Sequence, residues 1–214
     1  MAALLPCPPW EYKDSSDYAA VLKGELAVLL RALRLGDVSV EVEGVDTRPV
    51  HQQLFFRLTP SGHTYFAGHY RGENFACLAD YTVIVQADPM VGIHYSDVQQ
   101  AMAWFGRNLL AAVAVLDESF SSPDTRVSQE EKLYSAVVIA ARAFQELLTV
   151  HPYANGNGHM ARFLVWLLLG RYGYWPNTWT IDPRPSVSNY SAAISGHRRG
   201  NAAPLERLIL QSIL

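Results

Sequence analysis

The chain has 214 residues, of which half are hydrophobic and 17% are charged, and its formal net charge is −3. This length suffices for one well-buried domain, and the composition excludes a disordered chain. The weakly acidic balance gives no basic footprint for nucleic acid. The N-terminal residues lack the features of a signal peptide, and the apolar run 163–170 is too short to cross a bilayer. We therefore expect a cytoplasmic protein that contacts neither nucleic acid nor membrane.

The cysteine content favours the same compartment. Cys7 and Cys77 are the only cysteines, and residues 1–12 are rich in proline and predicted to form an extended tail. Because Cys7 lies in that tail, we expect no structural disulfide, and a reducing compartment is the default.

The N-terminal part of the chain begins with a predicted helix. Apolar residues at helical spacing place it from Ser15 to Leu35, and Gly36 would end it. Residues 38–43 alternate strictly, which predicts a half-buried strand. After a mixed stretch with turn signals, the β-branched run that begins at Tyr81 and the turn signals up to Tyr95 predict a hairpin or an irregular pair of loops.

The C-terminal half is predicted to be helical. Ser96 or Asp97 can cap a helix that runs to about residue 117. Ser128 and Glu131 have the spacing of a capping box. The helix that follows them is predicted to end at His151, because the next residue is proline.

A third helix in this half has no polar face. It is predicted from about residue 159 to 170 and is apolar nearly all round, which is typical of a helix at the centre of a bundle. A proline-containing loop at 176–185 and a final helix after Pro204 complete a mainly α chain.

The junction between the last two of those core helices carries the candidate chemistry. His151 stands just ahead of Gly156, Asn157 and Gly158, a loop that opens into the apolar helix. Glycines admit the backbone of a tight anion nest, and a helix N-terminus turns unpaired N–H groups toward it. His151 is therefore a candidate general base beside a phosphate-sized site, since an ordinary histidine pKa of roughly 6.5 suits that task.

The segment His-Pro-Tyr-Ala-Asn-Gly-Asn-Gly-His-Met-Ala-Arg, residues 151–162, resembles the signature of the Fic family, His-x-Phe-x-Asp/Glu-Gly-Asn-Gly-Arg-x-x-Arg. The resemblance extends from about Gly68 to the C-terminal helix. It implies a mainly α fold, namely a Fic-type helical bundle with a small β-hairpin flap over the active-site loop. The segment Tyr81–Tyr95 lies in the right place for that flap.

We accordingly expect one Fic-like domain over residues 1–214. Within it we expect the extended tail at 1–12, an N-terminal helix with a candidate inhibitory segment at 13–48, the core of the resemblance at 50–203, and a C-terminal helix at 204–214.

The resemblance also implies a reaction. Family members transfer a nucleotide monophosphate, most often AMP from ATP, onto a Ser, Thr or Tyr hydroxyl of a protein. Here His151 would take the hydroxyl proton, and the backbone of Gly156 to Gly158 with the Asn157 amide would face phosphate oxygens. Arg162 would offer a planar fork to phosphate. The protein substrate would dock at the flap, and a homo-oligomer is left open.

Two positions depart from the signature in ways that affect the leaving group. Asn155 replaces the acid that binds Mg²⁺ in the family, and a neutral amide is a much poorer ligand for this cation. His159 replaces an arginine that contacts phosphates, and it offers one donor in place of a fork. Both the nucleotide-binding role of these two residues and a magnesium site at Asn155 are weakened expectations.

Three interpretations follow from the departures: slow or modified transfer from ATP, transfer from a less charged donor such as another nucleotide or a diphosphate-linked small group, or a non-catalytic Fic domain that binds a partner. We rank a working transferase first because His151, the cradle and Arg162 are retained together. A kinase of the related Doc type is disfavoured by the intact Gly156-Asn157-Gly158.

One further pattern is similar to the family's inhibitory motif, Ser/Thr-x-x-x-Glu-Gly/Asn. Ser39, Glu43 and Gly44 match it, and the resemblance implies that Glu43 pairs with Arg162 and blocks the donor phosphates. The pattern is short, and a surface glutamate on a strand is an equally good interpretation.

Overall fold

Three long helices from the C-terminal half form the centre of the protein in the computed structural model, which describes residues 7–85, 88–123 and 126–213. The α4 helix packs most extensively against α5, and next against α3. Within the described residues the seven α-helices are α1 Tyr18–Leu35, α2 Arg48–Phe55, α3 Val98–Ser121, α4 Gln129–Val150, α5 Asn157–Gly170, α6 Tyr190–Arg198 and α7 Ala203–Gln211. Short helical turns span Tyr12–Asp14, Val40–Gly44, Phe56–Leu58, Thr64–Phe66 and Tyr95–Asp97.

The ends of α4 are set by local sequence, as predicted. The Ser128 hydroxyl accepts from the Glu131 N–H, and the Glu131 carboxylate accepts from the Ser128 N–H, which completes the capping box. At the other end His151 adopts a left-handed backbone with φ of 55°, and Pro152 prevents continuation. The α4 end therefore fixes the backbone of the candidate base.

The α5 helix is buried on nearly every side, as its apolar sequence predicts. Eleven of its residues are buried, and they include the polar side chains of Asn157, His159 and Arg162. Gly156 precedes the helix with φ of 78°, a conformation that glycine adopts without steric cost. The three buried polar side chains need partners, and those partners define the site described below.

By length and composition alone, α4 could also cross a membrane. It is the one helix of the described residues that passes this test, and half of the relevant window is buried inside the protein. A core helix packed between α3 and α5 has the same composition, so the feature is weak evidence for a membrane span.

The strand predicted at residues 38–43 is wrong. The chain forms a helical turn, Val40–Gly44, in which the Ser39 hydroxyl accepts from the Val42 N–H. Val40 and Gly44 are buried, whereas Val42 is 58% exposed. The alternating valines therefore lie in a helical turn with one buried face. Packing of this turn against α3 and α5 overrides the strand preference of valine.

The β-hairpin flap is not confirmed. The described residues of the flap segment, 81–85 and 88–95, contain no strand pairing, and residues 86–87 lie outside the described part of the chain. The irregular pair of loops that the sequence also allowed agrees with the described backbone.

The N-terminal segment is extended, but it is not a free tail. Trp10 and Tyr12 are buried in the core, and the Trp10 indole N–H donates to the Leu58 carbonyl at 2.9 Å. The segment runs back to Cys77, where a disulfide joins it to Cys7 with the two Cα atoms 5.5 Å apart. The expectation of no disulfide is therefore wrong, since burial of Trp10 and Tyr12 keeps this end of the chain beside residue 77.

The disulfide also removes an argument about compartment. Stable disulfides are typical of oxidising environments, so the cysteines no longer favour a reducing one. The cytoplasmic location stays a prediction.

Candidate functional site

A cavity of about 780 Å³ opens where α4 ends and α5 begins. Its floor is His151 and the loop 154–158, and Arg162 lines it from the first turns of α5. Tyr12 and Lys13 approach from the N-terminal segment, and Asp182, Pro183 and Arg184 approach from the loop that follows α5. The cavity thus brings together the predicted base, the predicted cradle and the predicted phosphate-binding arginine.

His151 is oriented by its own backbone environment. Its Nδ1–H donates to the Leu148 carbonyl at 3.3 Å, which leaves the Nε2 lone pair available. The pKa of His151 is lowered to about 4, mainly by burial, with the positive charges of Arg71 and Arg198 acting in the same direction. The imidazole is therefore neutral at physiological pH, and Nε2 can accept a proton there.

Arg71 fixes the backbone around this histidine. It is 1% exposed, and its guanidinium donates to the carbonyls of His151 (2.7 Å), Val150, Tyr81 and Ile93. Tyr81 and Ile93 lie near the two ends of the segment that was predicted as a flap. One buried cation therefore ties that segment to the end of α4, beside the candidate base.

The loop after His151 packs against the rings of His51 and Phe55, which form an aromatic layer. The His51 imidazole accepts from the Gly68 N–H through Nδ1 and donates to the Asn155 carbonyl through Nε2, both at 3.0 Å. Burial lowers the pKa of His51 to about 3, so the ring stays neutral. Gly156 lies directly against this layer, because a Cβ built there would approach the Phe55 ring to 2.6 Å.

Of the four backbone N–H groups from Gly156 to His159, two are paired within the described part of the protein and two are not. The Gly156 N–H donates to the Asn155 side chain at 2.7 Å, and the His159 N–H donates to the Gly156 carbonyl at 2.9 Å. The N–H groups of Asn157 and Gly158 have no acceptor among the residues that the structure describes. These two amides stand at the first turn of α5, where unpaired donors and the helix dipole favour an anion.

The side chain of Asn157 does not face phosphate. Its Oδ1 accepts from the Tyr153 N–H at 2.9 Å, and its Nδ2 donates to the Tyr153 carbonyl at 2.8 Å. The predicted role of this amide in binding phosphate is therefore wrong. It holds the loop closed, because a buried carboxamide takes both backbone groups of Tyr153.

Arg162 lies buried in the wall of the cavity. It is 6% exposed, and its Nε donates to the Ile181 carbonyl at 2.6 Å. One terminal nitrogen would lie 3.0 Å from a Cβ added to Gly158, so the guanidinium lies against that glycine backbone. Absence of a side chain at 158 thus leaves room for the guanidinium beside the unpaired amides.

The ring N–H of His159 is not free to donate a hydrogen bond to a phosphate. Its Nε2–H donates to the Asp182 carboxylate at 3.0 Å. Burial lowers the pKa of His159, against the influence of Asp182, and the hydrogen bond from His159 is the largest cause of the lowered pKa of Asp182. The pair is a neutral imidazole hydrogen-bonded to a carboxylate at the cavity wall.

Residues 46–169 match the profile of the Fic/DOC family. The chain belongs to the Fic/DOC family. The match covers more than half of the protein and includes the whole segment from His151 to Arg162. A comparison with the curated proteins gave no match.

The magnesium ion that this family implies does not fit the residues present. Both atoms of the Asn155 carboxamide are engaged, since Nδ2 donates to the Trp10 carbonyl at 3.1 Å and Oδ1 accepts from Gly156. No group of three or more His, Cys, Asp or Glu side chains suited to a metal exists in the described chain. A hard cation prefers charged oxygen ligands, and here the amide serves as a clamp on the N-terminal segment.

The segment that resembles the family's inhibitory motif lies elsewhere. The Glu43 carboxylate accepts from the Ser39 N–H at 2.8 Å and so caps its own turn. Gly44 of that turn packs against Leu167, in the second half of α5, whereas Arg162 lies in the first half. The structure does not bring Ser39 or Glu43 to Arg162, and the inhibitory role is left without structural support.

Several residues of this Fic site are not evident from the sequence. Trp10 lies in the proline-rich segment that predicted only a tail, and neither Lys13, at the start of the next segment, nor Arg71 had an assigned role. His51 belongs to α2, which the mixed sequence of residues 50–80 did not predict. A histidine four residues before Phe55 on a helix face was the one available signal for the aromatic layer.

Proposed function

We propose that this Fic domain is a transferase that moves a nucleotide monophosphate from a nucleotide to a Ser, Thr or Tyr hydroxyl of a protein. The observation that carries the proposal is the single cavity shared by His151, the unpaired amides of Asn157 and Gly158, and Arg162. This arrangement places a proton acceptor beside a site for phosphate, which is what phosphoryl transfer to a hydroxyl requires.

The reaction uses few protein groups. The substrate hydroxyl oxygen attacks the α-phosphorus of the nucleotide, an O–P bond forms, and the hydroxyl proton passes to Nε2 of His151. The bond between the α-phosphorus and the leaving phosphate oxygen breaks, and the leaving phosphate keeps the electron pair. The helix N-terminus and Arg162 stabilise negative charge on the phosphate oxygens. Positioning and electrostatics supply the catalysis.

The protein substrate is proposed to dock along the segment from Tyr81 to Tyr95. Arg71 ties the Tyr81 and Ile93 carbonyls to that of His151, so a chain bound along this segment would present its hydroxyl near the base. Residues 81–85 form neither helix nor strand, so a bound chain could pair with the backbone of this stretch.

A second candidate is a non-catalytic Fic domain that binds a partner. The tied side chains of Asn155 and His159 favour it, because neither is free to contact a polyphosphate. The two candidates make different demands on His151: a transferase requires its basic Nε2, and a binding module does not.

Transfer is tested with His151→Ala. Label incorporation from α-labelled ATP, GTP, CTP and UTP into a protein lysate and into the chain itself should fall by roughly 10²–10⁴-fold, while nucleotide binding persists. His63→Ala is the matched control, since His63 lies outside the proposed docking segment and does not line the cavity.

Three outcomes separate the candidates. Loss of incorporation in His151→Ala alone supports the transferase. Equal incorporation by the wild type and His151→Ala would reject His151 as the base. Nucleotide binding without any incorporation by the wild type would favour the binding module.

A further inference from the structure

The N-terminal segment contributes a lysine to the cavity. Lys13 lines it together with Tyr12, and the Lys13 ammonium lies 5.7 Å from the centre of the Tyr12 ring. No carboxylate pairs with Lys13 among the described residues. This cation is therefore available to a ligand.

The position of Lys13 is fixed by its buried neighbours. Tyr12 is 7% exposed and meets the rings of Phe55 and His159 edge-on, at centroid distances of 5.4 and 5.3 Å. Two residues earlier, the Trp10 carbonyl accepts from Asn155. The backbone at Lys13 is thus anchored at the cavity by contacts on the adjoining residues, and the exposed side chain lines that cavity.

Charge in the cavity favours an anion over a cation. Lys13, Arg162 and Arg184 are positive, Asp182 is the one carboxylate among the lining residues, and both histidines are neutral. The Asp182 carboxylate is already hydrogen-bonded to His159, and Lys13 and Arg162 act on it as positive neighbours. The residue at 155 that would hold a metal is instead an amide that positions the segment carrying Lys13.

We propose that Lys13 binds the leaving phosphate of the donor in place of a divalent cation, so that the site takes nucleoside diphosphates and their derivatives without Mg²⁺. This inference rests on the proposed function, because it assigns a second phosphate to the same cavity. A lysine ammonium is a compact point charge with three donors, and it neutralises charge on the leaving oxygen as the bond breaks. Residues 46–169 match the family and Lys13 lies outside them, so this donor site is an addition made by the N-terminal segment.

The test compares diphosphates with monophosphates. Affinities of ADP, GDP, CDP and UDP, and of the four matching monophosphates, are measured by calorimetry in EDTA and in saturating Mg²⁺. The wild type should bind its preferred diphosphate equally in both, within about twofold, because no carboxylate cage holds the metal. Lys13→Ala should weaken that diphosphate by about tenfold or more and leave the monophosphate unchanged, because one charge-assisted contact is lost.

Two variants serve as controls. Lys23→Ala removes an exposed lysine of α1 that does not line this cavity, and it should leave both affinities unchanged. Lys13→Arg should retain diphosphate binding, because it keeps the charge.

The outcomes distinguish this inference from the proposed function. Equal losses of diphosphate and monophosphate in Lys13→Ala, or no loss, would overturn the role of Lys13 while leaving the transferase intact. Tighter diphosphate binding in Mg²⁺ that disappears in Asp182→Asn would overturn metal independence, with Asp182 as the ligand. Failure of the wild type to bind any of the four diphosphates would overturn this inference alone, because label incorporation from the triphosphates would still test the transferase.

Discussion

The His51 imidazole lies flat on the phenol ring of Tyr153, with the ring centroids 3.8 Å apart and the planes inclined by 3°. The same imidazole bridges the Gly68 N–H and the Asn155 carbonyl. His51, which lies far from the signature in sequence, therefore supports the loop that follows His151. The position of the loop depends on one buried ring that stacks on Tyr153 and uses both of its nitrogens.

His51→Phe tests that support. Phenylalanine keeps the stacking but leaves the Gly68 N–H and the Asn155 carbonyl without partners, and each buried unpaired group costs about 1–3 kcal/mol. The free energy of unfolding in urea should fall by roughly 2–4 kcal/mol, and nucleotide affinity should fall as well. A loss under about 0.5 kcal/mol would show that the hydrogen bonds of His51 contribute little.

Gly156→Ala tests the contact between loop and aromatic layer. The new Cβ would lie 2.6 Å from the Phe55 ring and 2.9 Å from His51 Nε2, at a φ of 78°. Gly173→Ala is the matched control, with a φ of 82° and nothing within 4 Å. We expect about 1 kcal/mol of destabilisation in the control and roughly 2–4 kcal/mol in Gly156→Ala. Similar losses in both variants would mean that the layer yields to the methyl group.

The dependence of stability on pH follows from His151 and His51, the two histidines whose pKa is lowered most. Their folded pKa values, about 4 for His151 and about 3 for His51, lie below the ordinary value of 6.5. The unfolded chain therefore binds more protons between pH 6.5 and 4, so stability is full above pH 6.5 and is lost as pH falls through this window, by on the order of 3 kcal/mol for each histidine at pH 4.

The pH dependence of the transfer rate should also be set by the lowered pKa of His151. Because His151 stays neutral, its protonation should not reduce the transfer rate between pH 8 and 5.5, and the acid limb should lie close to the loss of folding. An NMR titration of the His151 ring against urea unfolding at each pH checks both statements. A ring that titrates near 6.5 in the folded protein would contradict the burial argument.

Substitutions at Asn155 distinguish its role as a clamp on the N-terminal segment from a role as a metal ligand. Asn155→Ala should weaken diphosphate binding with or without Mg²⁺, because the Trp10 carbonyl loses its donor and Lys13 loses its position. Asn155→Asp should weaken binding equally in EDTA but recover part of it in Mg²⁺, since it adds one carboxylate ligand. Calorimetry in both solutions compares the two variants. Identical responses to Mg²⁺ would argue that position 155 cannot reach the metal.

The disulfide is tested by alkylation under denaturing conditions. Cys7 and Cys77 should resist iodoacetamide until a reductant is added, with the mass shift read by mass spectrometry. Cys7→Ser should weaken diphosphate binding more than monophosphate binding, because it loosens the segment that carries Lys13. Alkylation of both cysteines without reductant would show that the pair is not formed in the isolated protein.

Local signals predicted the helices that hold the site. The capping box at Ser128 and the proline after His151 act within one turn, so sequence alone set both ends of α4. The strand predicted near Val40 failed because the choice between turn and strand depends on burial against α3 and α5. The flap segment is held by Arg71 from a distance, and no local pattern encodes that contact.

The residues of the candidate site also fall into two groups, those placed by local sequence and those placed by contacts that exist only in the folded state. His151, Arg162 and the backbone of Gly158 follow from the signature, since their spacing along one loop and helix fixes their geometry. The Asn157 amide was misassigned because its partner, the Tyr153 backbone, is a folded-state contact. The approach of Lys13 depends on the burial of Trp10 and Tyr12, which a proline-rich composition conceals.

The hydrogen bond between Asn155 and the Trp10 carbonyl spans 145 positions, and this distance has a consequence for the order of assembly. The ribosome releases Trp10 long before Asn155 exists, so the N-terminal segment can meet Leu58 and Cys77 early but reaches Asn155 only late in synthesis. Its docking closes the longest loop in this site, and the entropy of that closure is recovered only when the core is ready to receive it. The contact that places the segment carrying Lys13 beside the loop can thus close only after the signature itself has been synthesised.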